Sequence, residues 1–256
     1  MFIPVRINGH AAHFFVDTGG GFSATSESEA TRLGLRFART SGSVNTSTSQ
    51  KAGYRLAVAS ELIIGGFRLH DVTFAVFPDE REPWRDLAPG RRGLIGLPVQ
   101  LALGQMRWSK DGTFSFGANP RYSEPVEPNV AMVDDRPGVR VVIQGREVLF
   151  SLDTGAVNTD IYTNFGQEFP NIVNKAKKTR TEVRGIGGAE THEAVALPDL
   201  RLFLGGTSAT LRSASMLTTQ INSARFVGNL GCDIRRSMGR FLWISLQCAS
   251  RLTRPT

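Results

Sequence analysis

Phe14-Phe15-Val16-Asp17-Thr18-Gly19-Gly20 decides how this chain is read, because it returns 136 residues later as Phe150-Ser151-Leu152-Asp153-Thr154-Gly155-Ala156. In each copy an apolar run carries an aspartate into a Thr-Gly turn. A strand that ends in a turn permitted by glycine presents its last carboxylate in a fixed direction. One such carboxylate from each half of the chain, brought face to face, would make a pair.

The match runs upstream without a gap. Val5-Arg6-Ile7-Asn8-Gly9 precedes the first copy as Val141-Val142-Ile143-Gln144-Gly145 precedes the second, at the same offset. Asp-Thr-Gly alone is expected by chance in roughly one chain in twenty of this length, from average residue usage. Two copies in register behind the same strand and turn are an internal duplication. Downstream, Leu62-Ile63-Ile64-Gly65-Gly66 answers Leu202-Phe203-Leu204-Gly205-Gly206. Gly93-Leu94-Ile95-Gly96-Leu97 answers Gly228-Asn229-Leu230-Gly231-Cys232, and Trp108 answers Trp243. Each half reads as hairpin, Asp-Thr-Gly turn, second hairpin, strand, apolar-Gly turn, short helix and final strand. The pattern is all-β, with short helical stretches at 27–35 and at 158–169, the latter closed by Pro170. Four prolines between 119 and 137 mark a linker, which divides the chain into a lobe at 1–120, a linker at 121–137 and a lobe at 138–256.

The 256 residues suit two modest cores, with 41% hydrophobic residues, 27 Gly and 12 Pro. The net charge of +7 comes mainly from arginines scattered along the chain, without the basic stripe interleaved with aromatics that marks a nucleic-acid surface. A solvated, Arg-rich surface and no nucleic-acid partner are expected. No apolar stretch is long enough to span a bilayer. No secretory signal precedes the first strand, and the compartment stays undefined. Met1 falls directly into that strand, so a trimmed N-terminus would be compatible with a periplasmic or other extracytoplasmic site. His10, His13, His70 and His192 have no ligand spacing and there is no CxxC, so neither metal nor cofactor is expected. Cys232 and Cys248 would pair in an exported chain and otherwise serve as small buried side chains.

Two carboxylates close together in a partly dry cleft cannot both ionise easily, so they share one proton and titrate as a pair. The ionised member takes a proton from a water held between them, and the protonated member donates to a substrate carbonyl oxygen. Water then attacks an amide directly. A threonine hydroxyl beneath each aspartate can fix the two turns across the interface, and glycine lets backbone N–H groups approach the carboxylate.

On these residues the chain resembles the aspartic proteases of the retropepsin and pepsin superfamily. The resemblance rests on Asp17-Thr18-Gly19 and Asp153-Thr154-Gly155. It is supported by Leu94-Ile95-Gly96, by its partner around Leu230-Gly231, and by Gly185-Ile186-Gly187-Gly188, which is similar to a retropepsin flap. It covers nearly the whole chain. It implies two similar acid-protease-like β-barrel lobes with an active-site cleft between them, joined in one polypeptide as in bacterial retropepsin-like proteins. By the same resemblance Asp17 and Asp153 are catalytic, and Thr18, Gly19, Thr154 and Gly155 support them. Tyr54 and Gly185 to Gly188 belong to flaps over an extended peptide substrate, and a monomer suffices for the site. The sequence departs from the family pattern at three places. Asn229 stands where an apolar residue is usual, Gly20-Gly21 follows the first motif in place of Ser or Ala, and the first hairpin at 41–53 lacks a Gly-rich tip.

The leading expectation is an aspartic endopeptidase. The alternative is a catalytically weak or inactive protease-like module that binds extended peptides; a basic scaffold for nucleic acid or membrane rests on net charge alone. Each aspartate also suits a purely local role, capping its own turn. Phe77, Leu97, Ile161 and Ile186 are expected near the cleft, which suggests substrates with apolar residues around the cut.

Overall fold

The computed structural model of the protein describes residues 1–46, 48, 50–108, 113–117, 129–219, 225–234 and 242–245. The first hairpin shows why these residues become strands. In β1 (Phe2–Ile7) Ile3, Val5 and Ile7 are buried, and in β2 (His10–Val16) Ala12, Phe14 and Val16 are buried. That is the period of two that a half-buried strand requires. Asn8 and Gly9 join them at φ of 47° and 85°, and Gln144 and Gly145 repeat the turn at 49° and 81°. Positive φ at both positions gives a two-residue turn whose twist matches its strands.

The first half continues through β3 (Ser23–Ser26), α1 (Glu27–Arg32), β4 (Arg36–Asn45), β5 (Lys51–Ile64) and β6 (Phe67–Phe77). It ends with β7 (Gly93–Ile95), α2 (Leu97–Leu103), β8 (Gln105–Trp108) and β9 (Phe114–Phe116). The strand order is β1-β2-β7-β3-β6-β5-β4. Pairing of Arg6 and Ile7 with Ile63 and Leu62 closes six of these strands into a barrel.

The second half comprises β10 (Val130–Val133), β11 (Arg136–Ile143), β12 (Arg146–Leu152), β13 (Asp160–Ile161), α3 (Asn164–Glu168) and α4 (Pro170–Val173). After these come β14 (Lys177–Gly185), β15 (Gly188–Leu197), β16 (Leu200–Leu204), β17 (Thr207–Leu211), β18 (Ala214–Leu217), β19 (Gly228–Leu230) and β20 (Leu242–Ser245). Its order is β14-β15-β18-β13-β19-β12-β11-β16-β17, with β10 on β11. Here the long strands of the first lobe are broken. Pro198, without an N–H, and Asp199, at φ 52°, separate β15 from β16, and a turn separates β17 from β18. The sheet curls into a half-barrel, so closure is confined to the first lobe.

Two expectations about local structure are corrected. Of the linker placed at 121–137, residues 121–128 lie outside the described residues, while Val130–Val133 already pairs with Arg136–Val139. The prolines there hid a hairpin turned by Asp134 and Asp135, both at positive φ. The helical stretch at 158–169 is instead β13 followed by α3, and Pro170 opens α4 rather than closing a helix. Proline is tolerated in the first turn because its missing N–H would have had no helical partner. No helix among the described residues is long and apolar enough to cross a membrane.

Each lobe has its own core, one around Phe14, Phe74, Ile7 and Leu62, the other around Phe150, Phe165, Ile161 and Leu202. Burying a phenylalanine as fully as Phe14 or Phe150 contributes about 2–3 kcal/mol. Phe114 and Phe116 pack against both cores. Strands from the two halves also pair directly, β8 with β20, Trp108 opposite Leu242 and Arg107 opposite Trp243, in a sheet ordered β20-β8-β9. That sheet ties the lobes together, so the two Asp-Thr-Gly turns face one another.

Candidate active site

Each aspartate ends a central strand of its lobe, β2 beside β7 and β12 beside β19, both parallel pairs. The N–H of Asp17 donates to the carbonyl of Ile95 and that of Asp153 to the carbonyl of Leu230, so each turn is pinned by the apolar-Gly strand of its own half. The local capping role is real on both sides. Gly19 and Gly20 N–H donate to Asp17 Oδ1 at 2.9 and 3.1 Å, and Gly155 and Ala156 N–H donate to Asp153 Oδ1 at 2.9 and 3.0 Å. In both turns the cap engages Oδ1 alone.

Between the turns the threonines cross. Thr18 N–H donates to Thr154 Oγ1 and Thr154 N–H to Thr18 Oγ1, each at 3.0 Å. The hydroxyls donate onward, Thr18 to the carbonyl of Leu152 at 2.8 Å and Thr154 to that of Val16 at 2.9 Å. Both side chains are buried, so this four-bond lattice works in a low dielectric and locks one strand end against the other. Gly19 and Gly155 are required by the opposite aspartate. A Cβ on Gly19 would lie 2.5 Å from Asp153 Cγ, and one on Gly155 would lie 2.5 Å from Asp17 Cγ.

The carboxyl groups of Asp17 and Asp153 lie close enough to perturb one another, and Asp17 is pushed up to about 8. Burial is the largest cause, followed by the charge of Asp153, against which the Gly19 and Gly20 N–H groups act. At neutral pH Asp17 therefore keeps its proton.

Two hairpins, one from each lobe, meet at their tips. The lobe-one hairpin of β4 and β5 carries Tyr54 opposite Gly42, and its ring lies between Phe22 and Phe77 at centroid distances of 5.9 and 5.8 Å. In the lobe-two hairpin Gly185 pairs with Gly188 around Ile186-Gly187. Ile186 packs against the apolar cluster of lobe one with Phe15, Tyr54 and Trp84. A Cβ on Gly187 would collide with the hydroxyls of Thr46 and Thr48, so the two hairpin tips touch. Arg184 Nη1 reaches Glu82 Oε1 across the lobes at 3.5 Å.

Not every residue expected near the cleft is there. Phe77 and Ile186 join the cluster at the hairpins, and Leu97, buried at the start of α2, donates its N–H to the carbonyl of Gly20 in the first turn at 2.8 Å, but Ile161 is fully buried in the lobe-two core. Gln100 belongs to none of the sequence motifs. Fully buried, it donates to the carbonyls of Asp17 and Ile95 at 2.7 and 2.8 Å and braces the first turn from behind. Its signal is an amide inside the apolar helix Leu97–Leu103. Asn229 donates to Asp153 Oδ2 at 3.1 Å, and Ser151 Oγ donates to Asn229 Oδ1 at 2.6 Å. The substitution that departed from the family pattern thus touches the second carboxylate. Cys232 Sγ lies 3.1 Å from the carbonyl of Thr154. Cys248, its suggested partner, lies outside the described residues, as do 121–128 of the suggested linker. Among the described residues no group of three or more His, Cys, Asp or Glu side chains is arranged to hold a metal ion.

Two related β lobes that each bring one aspartate to a common junction are the structural class of the aspartic proteases. The comparisons agree for both halves: residues 3–99 match the model of the aspartyl protease family and residues 133–242 that of the retroviral aspartyl protease family. The chain belongs to the retropepsin-like aspartic proteases, in a two-lobed form. No curated protein matches it.

Proposed function

We propose that the protein is an aspartic endopeptidase in which Asp17 and Asp153 act as one proton-sharing pair. The observation that carries this reading is the crossed threonine lattice, which seats the two turns so closely that the glycine of each abuts the aspartate of the other. In the working cycle a water sits between the carboxyl groups. The ionised one takes a proton from it as its oxygen bonds to the carbonyl carbon of the substrate, and the protonated one gives its proton to the carbonyl oxygen. The tetrahedral diol then collapses. One hydroxyl proton returns to a carboxylate, a proton passes to the amide nitrogen, and the C–N bond breaks without a covalent enzyme intermediate.

The substrate is an extended protein or peptide segment, laid between the turns and the hairpins carrying Tyr54 and Gly185 to Gly188 and held chiefly by its backbone. The site is completed within one chain, so a monomer is sufficient.

The test is cleavage of a diverse peptide library from acid to neutral pH, read by mass spectrometry, with Asp17→Asn and Asp153→Asn beside the wild type. Loss of at least about a thousandfold in each variant is expected, since both proton-transfer roles disappear. Peptide retention without any cut by the wild type would instead favour a binding module.

A further inference from the structure

The faces of the two lobes that flank the pair are built from matching strand positions, and their chemistry differs. In lobe one, cross-strand pairing places Leu56, Ala75, Ala24, Leu94 and Phe15 side by side over five adjacent strands. The matching row of lobe two is Ala196, Ser215, Asp160, Asn229 and Ser151. Paired residues point to the same side of a sheet. Ile161, Met216, Leu230 and Leu152, the alternate positions, fill the lobe-two core, so the polar row faces away from it. Asn229, in the middle of the row, donates to Asp153 Oδ2 and so joins the row to the candidate dyad. Ala75, Ala24, Leu94 and Phe15 of the lobe-one row join a cluster containing Trp84, Phe77 and Tyr54, onto which Ile186 packs.

Asp160 is the charged member of the polar row. Its side chain forms no hydrogen bond or ion pair among the described residues. Burial raises its carboxyl to about 6, with Asp153 and Asp233 adding to the rise and His192 opposing it. Asp233 is already engaged by Thr159, whose N–H and hydroxyl donate to it at 2.9 and 2.7 Å. His192 Nε2 is buried without a hydrogen bond, and its nearest carboxylate oxygen, from Glu190, is 3.9 Å away. A half-buried carboxylate with no hydrogen bond or ion pair among the described residues, and only a histidine in its neighbourhood to oppose its charge, is an incomplete interaction.

We propose that Asp160 determines specificity in a subsite on the lobe-two side of the cut, which takes a lysine or arginine side chain of the substrate. This rests on the peptidase reading. The subsite is flanked by Ser215, whose hydroxyl suits a remaining donor of such a side chain, and by Asn229, which the buried Ser151 holds in place. The opposite subsite, over Ala24 and Leu94, takes an apolar side chain. Specificity is therefore asymmetric across the scissile bond, unlike the uniformly apolar preference expected from sequence.

The experiment compares peptides that differ only in Lys, Arg, Leu or Glu on either side of the cut, at pH 7. Cleavage is measured for the wild type, Asp160→Ala (alanine being the lobe-one counterpart, Ala24), the near-isosteric Asp160→Asn, and Asp160→Lys. Binding of the same peptides to Asp17→Asn, with and without Asp160→Asn, is measured by fluorescence anisotropy. The expected result is a wild-type preference for Lys or Arg over Leu at one flanking position. The neutral variants should reduce that ratio roughly ten- to hundredfold, as for loss of a charge-assisted contact, and Asp160→Lys should turn it towards Glu. A wild type that cuts with no basic preference, or a ratio unchanged by the neutral variants, overturns the subsite and leaves the peptidase reading intact. Binding that prefers basic peptides and loses the preference with Asp160→Asn, while the wild type cuts nothing, upholds the subsite and overturns the peptidase reading. Binding to none of the peptides overturns the subsite.

Discussion

Asp17 carries the sharpest consequence at the level of single residues, because its proton affinity links the site to stability. Its carboxyl rises from an ordinary 3.8 to about 8 in the folded protein. Below the lower value the group is protonated in both folded and unfolded chains and contributes nothing. Between the two values the folded chain keeps a proton that the unfolded chain has released, so stability falls as pH rises, and the cost is complete above about 8. Replacing the group with Asn removes that dependence. We expect Asp17→Asn to be more stable than the wild type at pH 8, by on the order of a few kcal/mol, with the difference shrinking to nothing near pH 3. Denaturant titrations at the two pH values measure it; equal stability differences at both would refute the shifted proton. On the peptidase reading the same variant loses activity, so the residue would exchange stability for chemistry.

The Asp-Thr-Gly turn is the element that joins the lobes, and its threonines are where the joint is tested. Thr18 Oγ1 accepts from the Thr154 N–H and donates to the carbonyl of Leu152, with its side chain buried. Thr18→Val keeps the shape and leaves both partners without a bond inside the protein. The expected destabilisation is about 2–4 kcal/mol, from two buried groups at about 1–2 kcal/mol each. Thr18→Ser retains the hydroxyl and should cost about 1 kcal/mol, the value of a buried methyl group. A chemical denaturation midpoint that falls equally for both variants would mean that the hydrogen bonds contribute little. The hairpins belong to the same scale. Their existence was legible from glycine spacing and alternation, but the packing of Ile186 on Phe15 and Trp84 of the other lobe was not. Such a contact spans the chain and leaves no local trace.

For the whole molecule, the duplication explains why both halves of the site lie in one polypeptide. The small sheet ordered β20-β8-β9, which pairs strands from both halves, and the phenylalanines shared by both cores hold the lobes in register. On the monomer reading, specific activity should stay constant as the enzyme is diluted from about micromolar to nanomolar concentration, a range in which a weakly assembled pair of chains would fall apart. Loss of specific activity on dilution, reversed by concentrating the sample, would show that a second copy is needed. The lobes have also diverged in shape. Pro198 and Asp199 interrupt what is a continuous 14-residue strand in lobe one, leaving a closed barrel beside a curled half-barrel.

Sequence by itself determined the pair of aspartates, the threonines and glycines beneath them, the all-β class and the two-lobed plan. The physical reason is repetition: a motif that recurs in register with its preceding hairpin carries long-range information that a single copy lacks. Tertiary structure alone decided which face each residue serves. Ile161 was expected near the cleft, yet it lies in the core, and its neighbour Asp160 occupies the row beside the dyad. A strand of two residues is too short for alternation to reveal its sides, and the side is set by pairing with β18 and β19, far away in sequence. The same holds for Asn229, which reads as an irregularity in an apolar motif until the fold puts its amide against Asp153. Local periodicity can propose strands, but only the register between distant strands decides which polar side chains meet.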